Sequence, residues 1–292
     1  MNVSKCQDFK DARKQTLLGV LKQITEYFKD INIPTPRLDA EILLSYGLNF
    51  SRVELYTHYD YKLNKKELKM IKKLVERRVS REPIAYITGI KEFYGLEFKV
   101  SKDVLIPRPE TELLVETILK FNFKNASLLD IGTGSGNIAI TLKKFNSSLN
   151  VTAIDISLPA LQIAKYNAEK IIPNLPITFI HSDLFDNINA KYDIIVSNPP
   201  YIPSQIIATL MPDVRNYEPI SALDGGIDGM QFYKRIIPSA PKFLNKNGFI
   251  FLEINPLFTQ KIISILEKNR FYNIKVIKDY SNNERIVWAQ IA

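Results

Sequence analysis

Cysteine and histidine are scarce in this chain: one and two residues among 292. A lone thiol, Cys6, closes no intrachain disulfide and fits a reducing compartment. It lies in a polar segment and reads as an incidental thiol rather than a nucleophile. His58 and His181 are far apart and lack the spacing of metal ligands, so no metal is expected. No apolar run approaches the ~20 residues that span a bilayer. The first ten residues carry no apolar core of a leader peptide. Internal repeats and low-complexity runs are missing too. These absences argue against a secreted, membrane-bound or metal-dependent protein, and a cytoplasmic location is expected.

What remains is a chain of ordinary core content, 46% hydrophobic, with a formal net charge of +8. The charge is uneven. Residues 1–90 hold 17 Lys and Arg against 11 Asp and Glu, whereas residues 91–292 hold 22 against 20. A basic first third suits an acidic partner or nearby nucleic acid, and equally a solvated helical face.

The pattern of apolar residues divides the chain in the same place. Leu17, Leu18, Leu21, Ile24 and Phe28 recur at helical spacing, as do Leu68, Ile71, Leu74, Val75 and Val79. Asn64 with Glu67 three residues on is a helix-start signal. Lys65, Lys66, Lys69, Lys72, Lys73, Arg77 and Arg78 lie mostly off that second stripe. Segments 86–89 and 93–100 are rich in aromatic and branched residues and predict strands of a hairpin joining two domains. After residue 127, strands at 128–131, 151–154, 177–180, 192–197 and 249–254 alternate with helical segments. Two closing strands at 272–277 and 284–291 are near enough in sequence to be antiparallel neighbours. Such alternation predicts an α/β three-layer sandwich on a mainly parallel sheet.

Two motifs sit at strand ends. Asp130-Ile131-Gly132-Thr133-Gly134-Ser135-Gly136 puts a glycine at every second position between a strand and a helix, where the backbone must turn tightly and approach a ligand. A dinucleotide fingerprint would read G-x-G-x-x-G; this spacing is G-x-G-x-G. It resembles motif I of the class I S-adenosylmethionine-dependent methyltransferases. Asp155 ends the next strand, where a carboxylate can accept ribose hydroxyls. Asp183 follows the third strand and can face an adenine edge, with Leu184 against the ring. Each could instead be an ordinary strand-end or capping carboxylate.

The second motif, Asn198-Pro199-Pro200-Tyr201, ends the fourth strand. Two prolines cannot continue a central strand because they lack N–H donors. They leave a rigid polar rim at the carboxyl end, where open α/β sheets place ligands. The Asn198 side chain and the next peptide each offer a carbonyl oxygen, and Tyr201 a flat wall. Together they suit a planar –NH2 group. Gripping both N–H bonds would localise the nitrogen lone pair and aim it at a methyl donor, so orientation and local dipoles would lower the barrier.

The chain resembles the release factor glutamine methyltransferases, the PrmC/HemK family. The matching blocks are Pro36 to Leu44, Glu82-Pro83-Ile84-Ala85-Tyr86-Ile87-Thr88-Gly89, Glu92-Phe93-Tyr94-Gly95, Val104-Leu105-Ile106-Pro107-Arg108-Pro109-Glu110-Thr111-Glu112, the glycine loop, Asn198 to Tyr201, Glu218-Pro219, residues 222–229 and Leu252-Glu253-Ile254. The resemblance implies a helical substrate-recognition domain at 1–82, a β-hairpin linker at 83–106 and a Rossmann-like methyltransferase domain with a seven-stranded sheet at 107–292. It implies S-adenosylmethionine as cofactor and, as protein partner, class 1 peptide chain release factors, methylated on the glutamine of their Gly-Gly-Gln loop. Cofactor contacts are expected from Gly132, Thr133, Gly134, Ser135, Gly136, Asp155, Asp183, Leu184 and Asn198. Asn198, Pro199, Pro200, Tyr201 and Arg108 are expected to hold substrate, with Asn198, Pro199 and Tyr201 as the catalytic set. Glu110, in the same loop as Arg108, is expected to brace the linker. Asn255 replaces the family's usual glycine after Leu-Glu-Ile, and Leu184 stands where some members carry an aromatic. A monomer with no stable nucleic-acid binding is expected. Two other readings stay open: an adenine-N6 or cytosine-N4 nucleic-acid methyltransferase, which would need base flipping, and a non-catalytic adaptor with a vestigial pocket.

Overall fold

The structure, a computed structural model, describes residues 16–292, so Cys6 lies outside the described residues. The chain divides after Gly89 into two compact units.

The first unit is helical: α1 Leu17–Asp30, α2 Pro36–Leu48, α3 Arg52–Thr57, α4 Lys65–Val79 and α5 Ile84–Thr88. Leu17, Val20, Leu21, Ile24 and Phe28 form the buried stripe of α1. The start signal of α4 is a reciprocal cap: Asn64 Oδ1 accepts from the Lys66 and Glu67 N–H groups, and Glu67 accepts from the Asn64 N–H at 2.8 Å. Arg78 does not belong to the solvated basic face. It is buried, with Nε donating to Asp39 at 2.7 Å. Unpaired burial of either charge would cost several kcal/mol, of order 3–5 for a broken buried pair.

The expected strand at 86–89 is instead the end of α5. Pro83 at φ −58° leads into the helix and Gly89 at φ +76° stops it. This punctuation outweighs the β-prone residues between. The expected strand at 93–100 is folded in two: β1 Ile90–Phe93 and β2 Leu96–Lys99 pair antiparallel about Tyr94 and Gly95, both at positive φ. Positive φ at both central residues is the geometry of a tight two-residue hairpin.

The second unit continues with α6 Pro109–Lys120, β3 Ser127–Ile131, α7 Asn137–Phe145, β4 Asn150–Asp155, α8 Leu158–Ile171, β5 Ile177–His181, β6 Tyr192–Ser197, α9 Ser204–Ile207, α10 Pro212–Arg215, α11 Gln231–Phe243, β7 Leu244–Glu253, α12 Thr259–Lys268, β8 Phe271–Lys278 and β9 Glu284–Ile291. Seven strands form one sheet in the order β5-β4-β3-β6-β7-β9-β8. The first five in that order are parallel; β9 runs antiparallel to both neighbours. Its central strands are apolar on both faces because helices cover both. Alternate residues therefore enter different cores. Leu129, Ile131, Ile195 and Leu252 join the core with Tyr233 and Ile262, from α11 and α12. Leu128, Ile194, Val196 and Phe251 join the core with Leu114 and Ile140, from α6 and α7. That split is the three-layer sandwich expected from the alternation, including the antiparallel closing pair.

Candidate active site

Strand order reverses between β3 and β6: the chain leaves β3 toward β4 and leaves β6 toward β7. Loops that part in this way open a crevice at the carboxyl ends of the two strands. A cavity of about 560 Å³ occupies it, within the ~300–1,000 Å³ typical of small-molecule pockets. Ile131, Gly132 and Gly134 line it after β3, Asp155 to Ser157 after β4, Ser182 to Leu184 after β5, and Ser197 to Pro200 after β6.

Gly132, Gly134 and Gly136 all have positive φ, +72°, +55° and +81°. A Cβ on Gly132 or Gly134 would meet no atom within 4 Å, so the bare backbone faces open space. A Cβ on Gly136 would strike Ile140 at 2.7 Å, and this glycine serves instead to start α7 against α8. Thr133 and Ser135 are buried away from the cavity. Thr133 Oγ1 donates to Asp130, and Asn167 donates to the Ser135 carbonyl. Of the five loop residues, two line the cavity and three shape the turn.

Four of the loop's five N–H groups are committed. Gly132 and Thr133 both donate to the Ile154 carbonyl, Gly134 to Asp155 Oδ2 at 2.8 Å, and Gly136 to the Thr133 carbonyl. A diphosphate would need those donors, so the dinucleotide reading finds no support here. The charges agree. Asp103, Asp155, Asp183 and Asp224 line the cavity against one cation, Arg235, which is paired with Asp183 at 2.9 Å. Such a wall favours a cationic ligand over an anionic one. Burial raises Asp155 above the usual carboxylate range, while N–H bonds from Ser157 and Gly134 pull it back. Leu184 lines the cavity at φ +49°.

At the end of β6, Asn198 Nδ2 donates to Thr111 Oγ1 at 3.1 Å. Thr111 donates to Glu253 Oε2 at 2.7 Å, and the Tyr201 hydroxyl donates to Glu253 Oε1 at 3.3 Å. Tyr233 donates to the Glu253 backbone carbonyl at 2.8 Å. Asn198, Pro199 and Pro200 line the cavity; Tyr201 is not among its lining residues and packs its ring against the α11 core. Arg108 is also outside the lining. It donates to the buried Glu218 at 2.7 Å, and Glu218 also accepts from the Ile106 N–H. The pair ties the loop before α6 to the segment after α10.

Two family models match the chain, the PrmC N-terminal domain over residues 19–89 and the methyltransferase small domain over residues 109–210. A Geobacter sulfurreducens protein named release factor glutamine methyltransferase is 39% identical over 277 residues, which cover 94% of this chain and 97% of that protein. A Leptospira interrogans protein of the same name is 41% identical over 278 residues, covering 93% and 97%. The chain belongs to the release factor glutamine methyltransferase family. Its fold is shared by a methyltransferase from Pyrococcus furiosus, with a TM-score of 0.52 and 19% identity over 74% of this chain and 96% of that one.

Within the release factor glutamine methyltransferase family, this chain's Asn255 costs the backbone nothing. It sits at φ −80°, where no glycine is required, and its side chain accepts from the Leu257 N–H to cap the following turn. The sequence reading left Thr111, Glu218 and Glu253 without roles, although all three lie in the family's blocks. A signal was present for one: Glu253 is a lone carboxylate directly after the apolar run Phe249 to Leu252 of its strand.

Residues 222–229 of the family pattern also find a reason. The backbone of Gly225 lies directly under the Asn198-Pro199-Pro200-Tyr201 segment, and a Cβ there would sit 2.8 Å from Tyr201 Cα and 2.9 Å from the Pro200 carbonyl oxygen. Neither atom can swing aside as a side chain could. Gly225→Ala is expected to displace Asn198 to Tyr201 and lower kcat ~10–100-fold, because misplacement by about 1 Å costs that much. Cofactor affinity, measured by calorimetry, should change far less than kcat.

Proposed function

We propose that this chain transfers a methyl group from S-adenosylmethionine to the side-chain amide nitrogen of the glutamine in the Gly-Gly-Gln motif of class 1 peptide chain release factors. The observation that carries the reading is the convergence of a glycine loop and of Asn198, Pro199 and Pro200 on one acid-lined cavity at the point where strand order reverses. Family membership supports the same substrate.

When bound, S-adenosylmethionine supplies an electrophilic methyl carbon on a cationic sulfonium. The residues present fit such a molecule. Gly132 and Gly134 leave open space above bare backbone, and the carboxylates of the wall suit positive charge. Asp155 would accept from the ribose, Asp183 would face the base edge and Leu184 would pack on the ring. Thr133, Ser135 and Gly136 would act by holding the loop's shape. Asn198 Oδ1 and the backbone carbonyl beside it would accept the two N–H bonds of the glutamine amide, fixing its nitrogen toward the donor without a strong base. Pro199 and Pro200 would keep that rim rigid, with Tyr201 and Arg108 bracing it from outside the cavity. The helical unit, with the basic face of α4, would recognise the release factor. The protein would act as a monomer in the cytoplasm, with no stable hold on nucleic acid.

Incubation with methyl-labelled S-adenosylmethionine and a purified release factor tests this. Label is expected on the Gly-Gly-Gln peptide after proteolysis. Label on DNA alone would favour the nucleic-acid reading, and no binding of S-adenosylmethionine by calorimetry would favour the adaptor.

Asp155→Ala tests the cofactor assignment. It removes an acceptor shared by the Gly134 and Ser157 N–H groups, and ~2 kcal/mol, or about 30-fold in affinity for S-adenosylmethionine, is the expected loss. Unchanged affinity would remove Asp155 from the site.

A further inference from the structure

The buried contacts behind Asn198 form a chain with a direction. A threonine hydroxyl carries one proton. That of Thr111 goes to Glu253 Oε2 at 2.7 Å, the shorter of its two contacts. Toward Asn198, Thr111 can therefore only accept. The Asn198 NH2 must face it, and the carbonyl oxygen must face the other way. Among the described residues no hydrogen bond engages Asn198 Oδ1, the free end of a residue that lines the cavity. With the amide turned over, Oδ1 would confront a hydroxyl oxygen with no proton to offer, and the NH2 would confront the substrate's own donors. Thr111 and Glu253 are each 1% exposed, so water cannot repair the mismatch.

We propose that Thr111 and Glu253 are positioning residues for methyl transfer: the Glu253 carboxylate accepts the hydrogen bond of the Thr111 hydroxyl, and Thr111 thereby locks the Asn198 amide with its oxygen presented to the substrate. The inference rests on the proposed reading of Asn198 as the group that grips the glutamine amide. It assigns a task to two buried groups that lie outside the cavity's lining. Tyr201, donating to the other oxygen of Glu253, holds the carboxylate in register. Three segments far apart in sequence, α6, the end of β6 and the end of β7, thus converge on the orientation of one amide.

The test compares Thr111→Val, which keeps the shape and loses the hydroxyl, with Thr111→Ser, which keeps the hydroxyl. Methyl transfer to a purified release factor is followed at saturating S-adenosylmethionine. In the same proteins, labelled with ¹⁵N at asparagine, the Asn198 side-chain NH2 resonance is assigned by its loss in Asn198→Asp. T111V is expected to lower kcat ~10–100-fold, as removal of an orienting partner does elsewhere, with the Kd for S-adenosylmethionine within ~twofold. Its Asn198 NH2 protons should exchange faster with solvent. T111S should restore both the rate and the protected NH2. A rate and an NH2 resonance in T111V equal to those of the parent would overturn the proposal. So would a T111S variant as impaired as T111V, since that would mark packing rather than polarity. If the parent left release factor unlabelled, the substrate reading would fail, while the NH2 resonance would still decide whether Thr111 orients Asn198.

Discussion

Asn198→Ala should reduce turnover by ~10²–10³-fold, the scale set by deleting a single fixed group that stabilises a reacting centre. The loss should fall on kcat, because the amide oxygen matters most while the glutamine nitrogen is being aimed at the methyl carbon. The fold should survive. Asn198 is half-buried and its side chain makes one hydrogen bond, to Thr111. Losing such a bond costs ~1 kcal/mol against the 5–15 kcal/mol that holds a domain together. Single-turnover transfer of labelled methyl, with a thermal melt on the same sample, separates the two effects. Turnover at the parent rate would sever Asn198 from the chemistry. A collapsed melt would make it a structural residue instead.

The place of Asn198 at the cavity rim was legible in the sequence because a strand, two prolines and an asparagine are neighbours in the chain. The same holds for the sheet: apolar strands alternating with helices announced the parallel core and its antiparallel closing pair. What sequence could not supply was anything formed by residues that meet only after folding. Thr111 and Glu253 are 142 positions apart, and nothing local distinguishes Thr111 from other threonines near a helix start. Tyr201 illustrates the converse. Its place in the motif suggests a wall for the substrate, yet the fold sends its hydroxyl to Glu253 and its ring to the core. Local chemistry misled at residues 86–89 for a different reason: β-branched and aromatic residues favour strands, but a proline start and a glycine at φ +76° close a single helical turn there first. The two departures from the family pattern, Asn255 and Leu184, needed dihedral angles to interpret, and a sequence does not carry them.

The rate should also depend on pH through Glu253, with opposite signs for catalysis and stability. Burial pushes this carboxyl up to about 7. Hydrogen bonds from Thr111 and Tyr201 pull it back, the charge of Glu110 adds to the rise, and Arg285 opposes it. Tyr201 and Tyr233, which also face it, are themselves held neutral by burial. Only the ionised form accepts from both Thr111 and Tyr201. A protonated Glu253 would donate across the shorter contact to Thr111, whose own proton would then turn toward Asn198 and favour the inverted amide. At pH 5, two units below its midpoint, Glu253 is ~1% ionised, so kcat should be ~100-fold below its alkaline plateau. Folding stability should run the other way. The native state binds the Glu253 proton more tightly than the unfolded chain, so stability falls as pH rises from the ordinary glutamate range to about 7, then levels. Asp130, fully buried behind the glycine loop and likewise raised to about 7 by burial, contributes a slope of the same sign. The two groups are separable. Glu253→Gln should flatten the kcat profile, because an amide does not titrate in this range, whereas Asp130→Asn should flatten only part of the stability profile and leave the kcat inflection near 7 in place. An inflection that persists in Glu253→Gln would assign the titration to another group and uncouple the Glu253 proton from the orientation of Asn198.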